Sequence, residues 1–201
     1  MAIITANNQS MTAITALPSG VSAKSMILLA TETASSSAPV SFTSNIDDTY
    51  KEYQFHFIEM HPATNDTNFT FQTDTGTNTS YNQTMTTTFF QARHTEADTV
   101  AALAYTDNRD IAQGTGFQAL SYDVGNDADQ QCSGTLSLFS PSSTTFVKHF
   151  MAETQTAHGA NYPQPSYVAG YFNTTSAITG IQFKFNSGNV DAGTIKMYGV
   201  V

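Results

Sequence analysis

Five histidines are the residues best able to move a proton near neutral pH: His56, His61, His94, His149 and His158. No two stand at the H-x-x-x-H spacing that places two imidazoles on one helical face around zinc. His56 and His149 fall in stretches of β-type alternation, where a surface or structural imidazole is the plain reading. His94, Glu96 and Asp98 bring a base and two carboxylates close in sequence. Such a trio could hold a metal or shuttle a proton, and it also fits a solvated turn at a helix start, which is the favoured reading. Asp123, Asp127 and Asp129 form the most cation-friendly stretch, since calcium takes six to eight oxygens and acidic loops supply them. Their spacing departs from the EF-hand loop, and an exposed acidic loop accounts for them as well. No metal or other cofactor is expected.

Nucleophile motifs are missing: there is no G-x-S-x-G elbow, no phosphate-binding G-x-x-x-x-G-K-[ST] loop, and no evident carboxylate pair. The single cysteine, Cys132, cannot form an intrachain disulfide and reads as a small buried apolar side chain. A non-catalytic chain is therefore expected. Among the aromatics (14 Phe, 9 Tyr, no Trp) most Phe read as core. Tyrosines in or beside loops can stack on sugars or on a partner protein. Tyr105, Tyr162 and Tyr167 are the binding candidates, with Asn161 to Pro165 read as a stiff exposed loop.

These residues must be placed by β-structure. The apolar positions repeat every two residues, not every 3.6. Tyr50 to Met60 is the clearest strand, with Tyr53, Phe55 and Phe57 on one face and Gln54 and His56 on the other. Further strands are expected at Lys24 to Thr31, Pro39 to Thr43, Phe69 to Thr73, Asn82 to Arg93, Thr135 to Phe139, Thr145 to Thr154, Ser166 to Phe172, Ile178 to Phe185 and Thr194 to Val201. Thr95 to Ala104, Ala-rich and acidic at its start, is the one place for a short helix, against the alternative of a long loop. Gly188 and Asn189 are expected to supply positive-φ conformations in a tight turn before the last strand, with Ile195 and Met197 facing the core. The expectation is all-β: one antiparallel, jelly-roll-like sandwich of about nine or ten strands, spanning residues 21 to 201. Residues 1 to 20 are expected to be an N-terminal arm or an edge strand.

Composition narrows the function classes. Charged residues are only 11% of the chain, and Thr, Ser, Asn and Gln supply the polarity, which suits strands better than long helices. The formal charge of −9 disfavours binding to nucleic acid or to anionic lipid. The longest apolar run, Met26 to Ala30, is far too short to span a bilayer, and no signal peptide is evident, so a soluble product made in the cytoplasm is expected.

Two segments resemble a group of tailed-phage virion proteins with a jelly-roll or lectin-like sandwich, of the type frequent in marine and cyanobacterial phages. The first is ITALPSGVSAKSMILLATETASSSAPVSFTSNIDDTYKEYQFHFIEMHPA, residues 14 to 63. The second is ITGIQFKFNSGNVDAGTIKMYGV, residues 178 to 200. The resemblance implies a structural role on the particle and carries no catalytic residues with it. Three functions follow as expectations. The first is a capsid decoration or cement protein, a homo-oligomer such as a homotrimer docked on the major capsid protein. The second is a tail or fibre module that binds host surface glycan. The third, a depolymerase, would need a cleft with two carboxylates.

Overall fold

The computed structural model describes residues 25–201, and the segment read as an arm or edge strand, 1 to 20, lies outside them. Among the described residues, twelve strands make up the regular structure. They are β1 (Met26–Ser37), β2 (Val40–Phe42), β3 (Glu52–Pro62), β4 (Phe69–Asp74), β5 (Met85–His94), β6 (Ala101–Tyr105), β7 (Gln118–Ala119), β8 (Cys132–Phe139), β9 (Lys148–His158), β10 (Tyr162–Phe172), β11 (Gly180–Phe185) and β12 (Val190–Val200). Every pairing is antiparallel. One sheet runs β1-β12-β3-β8-β9-β10-β5-β6, and the other runs β2-β11-β4-β7.

Eight of these strands trace a jelly roll. Taken in chain order, β1, β2, β3, β4, β7, β8, β11 and β12 cross between the layers so that β1-β12-β3-β8 faces β2-β11-β4-β7. That is the double Greek-key order of a jelly roll. The remaining four strands enter as two hairpin-like insertions, β5–β6 between β4 and β7 and β9–β10 between β8 and β11. Both insertions extend the first sheet beyond β8, making it twice as wide as its partner.

Alternation does the packing. Tyr53, Phe55 and Phe57 of β3 and Ile195 and Met197 of β12 all point into the interlayer space, as their spacing requires. Phe183 of β11 sits at the centre, with ring centroids 5.4 Å from Phe55, 5.1 Å from Phe57 and 5.9 Å from Phe69. Tilted, edge-to-face and stacked aromatic pairs such as these each add about 0.5–1.5 kcal/mol beyond burial.

Three local expectations are corrected. Thr95 to Ala104 forms no helix: a turn held by Thr95 Oγ1, which accepts the N–H groups of Thr99 (3.1 Å) and Val100 (3.0 Å), leads into β6. The Ala-rich stretch pairs with β5 instead, and tertiary pairing overrides a weak helix preference. Asn161 to Pro165 is not a free loop, because β10 starts at Tyr162 and pairs with β9 through Pro163 and Pro165. Prolines fit there because β5 joins β10 only from Ser166 onward, leaving one side of that stretch unpaired. Gly188 adopts φ +72° as expected, but Asn189 is not among the positive-φ residues. Asn189 instead donates its side-chain amide to Ser36 O at 3.0 Å.

Candidate functional site

The segment Asp123 to Gly125 ties the two layers together at one end of the sandwich. Val124 exchanges backbone hydrogen bonds with Thr67, just before β4, while Gly125 N–H donates to Ala157 O (3.1 Å) and Gly159 N–H to Asp123 O (3.1 Å) at the end of β9. Asp123 itself takes a left-handed φ of +45°, which Asp tolerates better than most residues. This crossing places the Asp123 carboxylate 3.8 Å from Arg109 Nη2 and 3.8 Å from His158 Nε2.

Around that carboxylate the rings stack in order. The Arg109 guanidinium lies 4.5 Å from the Tyr122 ring centre. Tyr122 is near-parallel to His158 at 6.1 Å, and His158 lies on Tyr162 at 4.1 Å. His158 is 8% exposed. Its Nδ1 accepts the N–H of Ala160 at 2.9 Å, so a neutral ring carries its proton on Nε2, facing Asp123. Burial pushes the His158 pKa below its ordinary 6.5, against the opposing pull of Asp123 and Asp66. Burial likewise raises the Asp123 carboxyl above 3.8, opposed by His158 and Arg109. The cluster sets an imidazole whose protonation burial disfavours beside a partly desolvated carboxylate, with an arginine 3.8 Å away. Its chemistry is that of a layer-to-layer clasp.

An open polar pocket adjoins the clasp. Tyr162, Asn161, Gln130, Gln131, Gln155 and Glu96 contribute to its lining. Gln130 orders it by donating to Asn161 Oδ1 (2.9 Å) and to His158 O (3.3 Å). Planar amides and carboxylates beside an aromatic ring are the groups that pair with sugar hydroxyls while the ring stacks on the sugar face.

The outer face of the widened sheet presents a second surface. Tyr105, Phe90 and Tyr167 stand opposite one another on β6, β5 and β10, and the Phe90 and Tyr167 rings stack at 5.0 Å. Phe90 and Tyr167, with Met151 and Phe139, line a shallow apolar groove whose lining carries one charged residue, Glu153. The Tyr105 hydroxyl is tied to Asp110, and that hydrogen bond raises its pKa.

The sequence candidates are thus divided among these places. Asp123 joins the clasp. Asp127 lies in the turn closed by Gln130 N–H to Asp127 O at 2.8 Å, and Asp129 lines the polar pocket. These three aspartates do not converge, and among the described residues no group of three or more His, Cys, Asp or Glu side chains is placed to hold a metal ion. His94 meets Asp98 at 2.9 Å in the exposed β5–β6 turn, while Glu96 turns to the pocket. Tyr162 belongs to the clasp and the pocket. Tyr105 and Tyr167 flank Phe90 on the opposite face. Arg109, Tyr122 and Phe90 were not singled out by sequence. Asp123, His158 and Tyr162 were candidates from sequence, but Arg109 stands between Asn108 and Asp110, and nothing in the sequence joined it to them.

Comparison with protein-family models, with curated proteins and with solved structures finds no match to this chain.

Proposed function

We propose that this chain is a non-catalytic structural protein of a tailed-phage virion, made in the host cytoplasm and mounted on the head as a decoration protein against the major capsid protein. One observation carries the reading. The two segments that resemble phage virion proteins come from opposite ends of the chain, yet their strands interleave. Residues 14 to 63 contain β1, β2 and β3, and residues 178 to 200 contain β11 and β12. These lie side by side as β1-β12-β3 in one layer and β2-β11 in the other. The resemblance therefore falls on one contiguous jelly-roll unit. Fold alone does not assign function, but the apolar outer groove, in a chain of net charge −9, also suits docking on protein.

Quantitative mass spectrometry of purified particles tests the proposal. A copy number comparable with the major capsid protein supports head decoration. A small fraction of that number points to tail or fibre, and absence from particles refutes the virion reading.

The polar pocket beside Tyr162 favours a second reading, a tail or fibre module that binds host surface glycan. A glycan array on the isolated protein decides it. Specific binding that Tyr162→Ala weakens tenfold or more, about 1.4 kcal/mol, would support this role, and no binding across the array would remove it.

A further inference from the structure

We propose that β6 is a self-recognition strand: two copies of this chain join edge to edge through it, antiparallel, about a two-fold axis at Leu103. The inference does not rest on the virion reading.

A strand at the rim of a sheet leaves a row of backbone donors and acceptors open, and proteins ordinarily blunt such rims with shortness, charge, proline or a bulge. Among the described residues there are four rims. β2 has three residues and β7 has two, so both are short. β1 carries a register shift between Leu28 and Ala30, and Glu32 lies in the strand. β6 has no guard. Its sequence is Ala101, Ala102, Leu103, Ala104, Tyr105, without charge, proline or glycine, and it pairs with β5 without a register shift. All five residues are exposed, so neither face is packed, and Leu103 is 73% exposed. Among the described residues, nothing pairs with the outer edge of this apolar strand or packs on either of its faces.

The phase of the β5–β6 ladder fixes which groups are open. Thr106 N–H donates to Phe89 O at 2.9 Å, and Thr95 N–H donates to Val100 O at 3.0 Å. Val100 and Thr106 thus turn their backbones toward β5, and in an antiparallel ladder Ala102 and Ala104 do likewise. The N–H and C=O groups of Ala101, Leu103 and Tyr105 face away from β5, toward the open side.

The occupant follows from self-complementarity. An isologous contact sets each residue against its symmetry mate, position i against j and j against i. With Leu103 on the axis, Leu103 meets Leu103 of the second copy, Ala102 meets Ala104, and Ala101 meets Tyr105. Small side chains face small ones or receive the one large ring, and the outward backbone groups of Ala101, Leu103 and Tyr105 are those used. No charge opposes its own image, which matters in a chain of net charge −9. Across the join the Tyr105-Phe90-Tyr167 row would meet Ala101 and then His94 of the second copy.

Sedimentation or light scattering on the full chain reads the outcome. The expected mass is twice the 21.6 kDa of one chain, or an even multiple. Leu103→Pro removes an outward N–H that β5 does not use and is expected to halve the mass. Leu103→Lys, which sets two ammonium groups face to face, is expected to do the same and decides the matter if the proline variant loses its far-UV β signal. Cross-linking tests the register: Leu103→Cys is expected to form a disulfide dimer, since paired Cα atoms about 5.5 Å apart allow the bond, whereas Ala101→Cys is not. The native Cys132 is buried and does not compete. A monomeric or trimeric wild-type chain, an even-numbered assembly unchanged by both Leu103 variants, or cross-linking at position 101 in place of 103 would each overturn the proposal.

Discussion

At the residue scale, His158 and Asp123 impose opposite pH dependences on the clasp. A histidine whose folded pKa lies below 6.5 binds its proton less readily in the folded than in the unfolded chain. It withdraws stability as pH falls from 6.5 toward the lowered value, and it contributes no such penalty above 6.5. Asp123, with a carboxyl pKa raised above 3.8, works the other way: its cost is present at neutral pH and is relieved as pH falls through the raised value toward 3.8. Acidification from neutrality therefore meets the His158 loss first. His158→Gln should lower stability at pH 7.5 by about 1–3 kcal/mol through loss of the ring stack and the Ala160 contact. It should also flatten the acid limb, so that its unfolding midpoint falls less than that of wild type between about pH 7.5 and about pH 5.5. Urea titrations at the two pH values measure both effects, and parallel acid losses in the two proteins would exclude His158 as the titrating group. Cys132 shows the same burial physics without function: desolvation pushes its thiol up to about 12, so it stays protonated and inert in the folded chain.

At the element scale, strands could be read where one face is buried and the other wet. β9, β11 and β3 as far as Phe57 alternate cleanly, and their phase names the core residues; beyond Phe57 a register shift leaves Ile58 and Glu59 both exposed. β6 could not be read so, because all five of its residues are exposed and no alternation survives. Its alanines point locally to helix, and only the partner β5, distant from that local preference, makes it a strand. The clasp was hidden for a related reason: Arg109, Asp123 and His158 come from separate segments, and only the crossing at Val124 brings them together. Glycines add information that alternation lacks. Gly134 of β8 lies between Phe57 and Thr154, where an added Cβ would sit 2.2 Å from Glu153 O and 2.7 Å from Thr154 Cα. Both atoms are backbone of β9 and cannot rotate away. Gly134→Ala should therefore cost about 1–3 kcal/mol, whereas Gly116→Ala, with nothing within 4 Å, should change stability by less than about 0.5 kcal/mol. Chemical denaturation of the pair separates a packed strand glycine from a free one, and equal costs would refute the steric account.

At the scale of the whole molecule, the jelly-roll order sets how the chain can fold. The β8-β9-β10 meander joins strands that follow one another, so its pairing closes short loops. The β1–β12 pair instead joins the two ends of the described chain, Met26 to Val200, and Thr33 to Thr194. Closing so long a loop costs entropy before any contact repays it, which places such pairings late and makes β-rich topologies fold in roughly milliseconds to seconds. The two ends should then respond differently to core truncation. Val168→Ala in β10, at a residue 2% exposed, should slow refolding in proportion to its stability loss, because the meander is formed early. Ile195→Val in β12, fully buried, should cost about 0.5–1.5 kcal/mol and appear almost wholly as faster unfolding. Stopped-flow chevrons of the two variants, read at a concentration where both are in the same association state, make the comparison. If Ile195→Val slows refolding as much as Val168→Ala does, closure of the ends belongs to the folding nucleus, and the resembling terminal segments would direct the fold rather than complete it.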